Sequence, residues 1–511
     1  MMQGTAWATT AMIAPGCSSD EPPLPPAPPE PQVFRHGVAS GDPLPDAVIL
    51  WTRVTSDDPA AEVEVGYVVA LDVALTEIVS EGKVTTDGSR DFTVKIDATE
   101  LSPGTTHYYR FEALGELSAV GRTRTAPSGA TDRLRFAVAS CASYAHGHFN
   151  AYRHLAQRAD IDLVLHLGDY IYEYGNDEYG GVRLYDPPHE IISLDDYRLR
   201  YAHYRRDPDL QAVHRQHPFA VVWDDHESAN NSWQGGAGNH DAGEGSWDAR
   251  KEASRQAYFE WLPIRDSGDG LIQRVLGYGG LVDVILLDTR LCCRDEQAVD
   301  GSDPILADES RSLLGAEQEA WLAEMVTTST AQWKLVAQQV MMGQVPQFTN
   351  TDQWDGYPFA RQRFFDVLRN GGIEDVVVLT GDIHSSWAMD LTDDPLDPLA
   401  YDPDTGAGSL AVELVTPGIT SQGFPDQLAG VADGLIMDNP HMKWVELTRR
   451  GYLVLDITPA RLQGAWYFVD TVLEPSDGES VGGVVEVSTG VPHIVVVESP
   501  AEPPEGPPLA P

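Results

Sequence analysis

Four apolar runs in this chain each end in residues that bind metals or move protons, and this pattern constrains the fold more than any bulk property. After Arg133 the sequence alternates strand-like segments (LRFAVASC, DLVLHLGD, FAVVWDDHE, VDVILLDTR, WKLVAQQV, VVVLTGDIH) with amphipathic stretches at 194–216, 247–261 and 315–326. Such alternation predicts an α/β domain with two packed sheets or one large sheet. In open α/β sheets the carboxyl ends of the strands form the ligand crevice. Ser140-Cys141, Gly168-Asp169-Tyr170-Ile171-Tyr172-Glu173, Asp224-Asp225-His226-Glu227 and Gly381-Asp382-Ile383-His384 should therefore converge. One Asp or His closing a strand is ordinarily a cap or turn residue. Four such endings in chain order point to a shared site.

The flanking regions read differently. From Phe34 to about Pro127 short alternating strands are separated by turns such as LSPGTT and DGSRD, the pattern of a small β-sandwich. Residues 20–32 and 499–511 are Pro-rich and acidic, which predicts extended tethers rather than core. Met1–Ser19 holds a short apolar run ending in Gly16-Cys17-Ser18-Ser19, similar to a bacterial lipoprotein signal although it lacks the basic start of a secretory leader. Export is expected, to periplasm, cell surface or medium, with a lipid anchor through Cys17. No apolar stretch reaches the length of a spanning helix. Cys17, Cys141, Cys292 and Cys293 do not form a disulfide framework. The expected units are 1–33 (signal and tether), 34–127 (sandwich), 133–470 (catalytic) and 471–511 (extension and tail).

Charge narrows the function. With 34 Lys plus Arg against 78 Asp plus Glu, the formal net charge is −44, which repels nucleic acid and anionic membranes. A phosphorylated substrate is repelled too, unless bound metal ions invert the local field. Adaptation to a salty habitat is a compatible explanation of the acidity.

The four endings are similar to the GDxx(D/Y), GNH(D/E) and GHxH signatures of calcineurin-like metallophosphoesterases. They resemble the alkaline phosphatase D family more closely, over Phe34 to about Phe468, through HGVASGDP, WTRV, ASC, HLGDYIYE, WDDHE, LDTR, GDIHSSW and NPHMKW. The resemblance implies an α/β metallophosphatase (calcineurin-like) catalytic domain preceded by a small β-sandwich. It further implies hydrolysis of a phosphate ester by a metal-bound hydroxide.

Carried over residue by residue, the resemblance makes Asp169 a carboxylate bridging two metals. Cys141, Tyr172 and His384 then favour iron(III) (Fe3+), and Asp225 and Asp382 favour calcium (Ca2+). His226 becomes the proton donor, held by Glu227 or Asp224. Gly238-Asn239-His240-Asp241 spells GNHD but follows a glycine-rich loop (234–246) instead of a strand, so His240 is expected at most to touch a lid. Arg290 and Arg294 are candidates for gripping phosphate, or else form ordinary ion pairs. Asn230, Asn231, Asn439 and His441 match family positions without an assigned role. A phosphodiesterase or phospholipase D-like enzyme on the same cluster is the alternative, and a non-catalytic surface lipoprotein a remoter one. A monomer is expected.

Overall fold

A computed structural model describes residues 32–511. Cys17 and the expected signal segment therefore lie outside the described residues. Among these residues the strands form sheets of ten, seven and five strands. At the centre of the largest sheet Leu134–Ala139, Leu163–His166 and Pro218–Val221 run parallel, and every one of their residues is buried. Burial on both faces is what continuous apolar strands require. Gly451–Ile457 and Arg461–Val469 continue this sheet on one side, antiparallel.

In the second sheet Val282–Leu286, Trp333–Ala337, Val376–Thr380 and Ala411–Val415 run parallel. Their period-2 alternation separates two cores. Leu335, Ala337, Val377 and Leu379 share one apolar cluster with Phe136, Val138 and Leu165 of the first sheet. Val336 and Val378 point the other way, toward Leu322, Phe364 and Leu368 on helices Gly315–Thr328 and Pro358–Gly371. The indole of Trp466, on the first sheet, donates to Val415 O of the second at 2.9 Å. Two sheets thus face each other, with helices outside.

The expected helical stretch 194–216 is two helices, Leu194–Tyr204 and Pro208–Gln216. The break follows from Asp207-Pro208. Proline disfavours helical backbone in the residue before it, and the Asp207 side chain caps the second helix by accepting from Asp209 N and Leu210 N.

Two expectations are corrected. Val38–Gly41, Val48–Arg53 and Thr93–Ala98 do not belong to a self-contained sandwich, because they extend the ten-stranded sheet beyond Pro218–Val221. The five-stranded sheet packs on them through Val65, Val69 and Phe111 against Val48, Leu50 and Val94. The 471–511 segment is not an appendage either, since Glu479–Ser488 and Ile494–Val496 complete the far edge of the same sheet. The last residues, irregular in backbone, are nonetheless tied down. Gln216 exchanges two 2.8 Å hydrogen bonds with the backbone of Ala510, and Tyr108 Oη donates to Pro508 O at 2.6 Å. Proline removes donors but leaves carbonyls free to accept from side chains. Among the described residues no helix is long and apolar enough to cross a membrane.

Candidate metal centre

Register brings the motifs together. Ala139 pairs with His166 and His166 with Val221, so the residues after these three strands leave one edge side by side. The second sheet meets that edge where Ser140 bridges Gly418 and Thr416 Oγ1 donates to Val138 O. Gly168, at φ +101°, permits the closest approach: a Cβ there would lie 2.3 Å from Asp224 Cβ. Cys141, Asp169, Asp382 and His384 all have φ between 56° and 62°. Left-handed backbone is uncommon for residues other than glycine, and held strain of this kind collects at functional sites.

The side chains form a continuous chain of potential ligands. One atom each from Cys141, Asp169 and His384, from Asp169, Asp225 and His226, and from Asp224, Asp225 and Asp382 lie within 4.8 Å of one another. Asp169 is common to the first two groups and Asp225 to the last two. Tyr172 Oη donates to Asp169 Oδ2 at 2.8 Å and lies 3.2 Å from His384 Nε2. All six expected ligands, Cys141, Asp169, Tyr172, Asp225, Asp382 and His384, are therefore gathered at one place. Asp382 and His384 are the half-buried members, so the centre opens on their side.

These donors fit metal ions. Asp169 Oδ1 and Asp224 Oδ2 are buried and accept no hydrogen bond, which is costly for a carboxylate without a cation. Burial, with Asp169 next in effect, pushes the Cys141 thiol well above its usual range and does the same to the Tyr172 phenol. Burial and the neighbouring Asp352, Asp225 and Asp169 raise Asp382 to about 6, against the pull of Arg290. So many acids crowded together outnumber the positive charge that Arg290 brings to them.

His226 sits on this chain, but its partner is neither Glu227 nor Asp224. Its Nδ1 donates to Glu173 Oε2 at 2.7 Å, and the Tyr172 ring stacks on it at 4.2 Å. Burial opposes the charged imidazole, yet Asp225, Glu173 and Asp169 outweigh burial and raise its pKa. Glu227 instead accepts from the backbone N–H groups of Asp169, Tyr170 and Asp224, clamping two strand ends together. Asp224 turns to Arg290.

Arg290 and Arg294 are not free to grip phosphate. Arg290 is fully buried, donating to Asp224, to both oxygens of Asp352 at 2.9 Å and to Asp382 at 2.8 Å. Arg294 donates to Asp352 at 2.8 Å. In the GNHD segment, His240 lies 3.3 Å from Glu244 and outside the ligand chain, while Asn239 donates to Glu173 Oε1 at 2.8 Å. The loop thus closes over the His226 partner through Asn239. Asn231 N–H donates to Asp225 at 2.6 Å and Asn230 N–H to Glu173 at 2.7 Å. Asn439 and His441 bond to backbone carbonyls of Leu435 and Gln344. Cys292 and Cys293 are disulfide-bonded to each other, beside Arg294.

Sequence reasoning placed Glu173 at the site without a role, and missed Asp352 and Ser421. Glu173 ends the HLGDYIYE motif and could have been read there; Asp352 and Ser421, in loops without a motif, carried no signal.

A family model described as PhoD-like phosphatase matches residues 136–466, and one for the PhoD-like phosphatase N-terminal domain matches 17–127. The chain belongs to the PhoD-like phosphatase family. It is 38% identical over 469 residues to alkaline phosphatase D of Bacillus subtilis (strain 168), covering 86% of this chain and 78% of that relative. A solved structure described as that of PhoD is similar at a TM-score of 0.84 and 36% identity, over 93% of this chain and 94% of the other. Membership makes the chain a hydrolase of phosphate esters, and the ligand chain at its strand ends agrees with the metalloenzyme character of PhoD-type phosphatases.

Proposed function

We propose that phosphate ester hydrolysis takes place at the ligand chain from Cys141 to Asp382, held on a calcineurin-like arrangement of two facing sheets. The observation that carries this reading is Asp169, which belongs to two ligand groups at once and keeps one buried oxygen without a partner. Cys141, Tyr172, Asp169 and His384 would hold iron(III), for which thiolate, phenolate and imidazole are suited. Asp225, Asp382 and Asp224, with Asp169, would hold calcium through oxygen alone. When bound, such ions supply Lewis acidity that lowers the pKa of water and offsets the charge of phosphoryl oxygens.

The chain's own residues do the rest. Glu173 fixes the His226 ring through Nδ1, which leaves Nε2 to give a proton to the departing alkoxide. Tyr172 stacks on that ring and keeps its plane. Ser421 Oγ, 2.6 Å from Tyr172 Oη, holds the phenol oxygen in place. Export with a lipid anchor through Cys17 remains part of the proposal, on Gly16-Cys17-Ser18-Ser19 alone. The test is metal analysis beside hydrolysis of nitrophenyl phosphate, for wild type and Asp169→Asn. Loss of metal and turnover together in the variant is expected; full metal content in an inactive variant would place the bridge elsewhere.

A further inference from the structure

A cavity of about 630 Å3 lies beside the ligand chain, and nothing described so far uses it. One wall is formed by Thr420 and Gln422, which flank Ser421. This wall is continuous with the centre, because His384 Nδ1 donates to Gln422 O at 2.9 Å and Ser421 Oγ contacts Tyr172. His146 also lines the cavity; its ring lies 4.3 Å from that of Tyr179, which stacks on Tyr172 at 5.4 Å. The cavity therefore shares a wall with the ligand chain.

Arg450 faces this space with most of its donors unused. A guanidinium carries five N–H donors. Arg450 makes one hydrogen bond, from Nη1 to Thr448 O, and its Nε is buried without an acceptor. Among the described residues no carboxylate stands within ion-pair distance of it. That is unusual in a chain with 78 acidic and 34 basic residues, where Arg290 alone takes up several carboxylates. Its approach to the centre depends on Gly423. A Cβ there would lie 2.5 Å from His384 O and 3.2 Å from Arg450 Nη1. Arg449, also lining the cavity, stacks on Phe468 and is likewise without a carboxylate partner among the described residues. Asp426 and Asp470 line the cavity too, so an anion is welcome at the guanidinium and repelled elsewhere in it.

We propose that this cavity seats the leaving side of the substrate, and that Arg450 grips a second phosphate there while the first is cut at the metal centre. The inference rests on the reading of that centre as the site of hydrolysis. The substrates it selects carry two phosphates a few atoms apart, as bisphosphorylated alcohols and phosphodiester chains both do.

A matched pair tests this on the full-length, metal-loaded protein: propyl phosphate against the bisphosphate of propane-1,3-diol. A charge-assisted hydrogen bond of ordinary strength predicts a kcat/KM ratio of about 10–100 in favour of the bisphosphate, expressed mainly in KM. Arg450→Gln should remove most of that ratio and Arg450→Lys should keep part of it. Leu473, 67% exposed at the cavity rim, gives a variant with little risk to folding. Leu473→Glu should lower the ratio and Leu473→Lys raise it. Repeating the pair with a propyl cap on the scissile phosphate tells a phosphodiester chain from a bisphosphorylated alcohol by which pair shows the preference. A ratio near one in both pairs, or an Arg450→Gln variant with the wild-type ratio, overturns the cavity proposal while hydrolysis of propyl phosphate leaves the centre intact. No turnover of any of these esters, nitrophenyl phosphate included, overturns the centre and the cavity proposal with it.

Discussion

The His226 imidazole donates from Nδ1 to Glu173 Oε2 at 2.7 Å, across a buried contact between the second and third strand ends of the parallel core. A carboxylate can only accept, so the contact assigns the proton to Nδ1 and leaves Nε2 as the ring nitrogen that Glu173 does not engage. Glu173 is in turn held by Asn230 N–H and Asn239 Nδ2.

The first prediction concerns pH. A general acid works only while protonated, so activity falls as pH rises through the His226 pKa. Glu173 is among the groups raising that pKa, so Glu173→Gln should move the alkaline limb of the kcat profile to lower pH. His226→Ala should lower kcat by about 10²–10⁴-fold on alkyl phosphates and by less on nitrophenyl phosphate, whose leaving group needs little protonation. An unmoved limb in Glu173→Gln would remove His226 from proton transfer.

Tyr172 makes the iron assignment visible. Wild-type protein should be coloured by charge transfer from phenolate to iron(III), and Tyr172→Phe should lose that band in an absorption spectrum. Burial holds the Cys141 thiol and the Tyr172 phenol protonated in the metal-free chain, so metal uptake releases protons and its affinity should rise with pH. An active wild type that is colourless and free of iron would sink the assignment.

Arg290 is a cation built into the acidic end of the site, paired with Asp224, Asp352 and Asp382. Breaking a buried pair leaves an uncompensated charge, at a cost of about 3–5 kcal/mol. Arg290→Met should therefore lower the Tm of EGTA-treated protein by several degrees, and calcium should recover more of it than in wild type. Equal melts for variant and wild type in EGTA would mean the carboxylates are relieved in another way.

The GNHD segment supplies a control. His240→Ala should leave kcat within about twofold, because His240 sits beside Glu244 and outside the ligand chain. Asn239→Ala, which removes a donor to Glu173, should lower kcat more than His240→Ala does. The reverse order would make the literal motif the working one.

Much of this was legible before the structure. The four strand endings are set by local rules, apolar runs followed by polar turn residues; parallel register aligns three of them and the facing sheet brings the fourth, hence Cys141, Asp169, Asp225 and His384 could be named together. Contacts made by loops from other parts of the chain could not be read. Asp352 reaches Arg290 from 62 residues away and Ser421 reaches Tyr172 from 249 away, with no periodicity to announce either. The Val38–Gly41 and Val48–Arg53 strands read as sandwich because alternation identifies a strand but not its partner. The Pro-rich C-terminus read as a tether because composition reports on missing donors and is silent about carbonyls that accept.

The pairing of Leu134–Ala139 with Gly451–Ile457 bears on how the enzyme is made. A ribosome delivers the two strands more than 300 residues apart, so the strand that leads into Cys141 has an open edge until nearly the whole chain has emerged. Non-local pairing of this kind is slow to form. A chain cut short before residue 451 would carry all six ligands and the three parallel strands beneath them, yet leave the outer edge of Leu134–Ala139 uncovered.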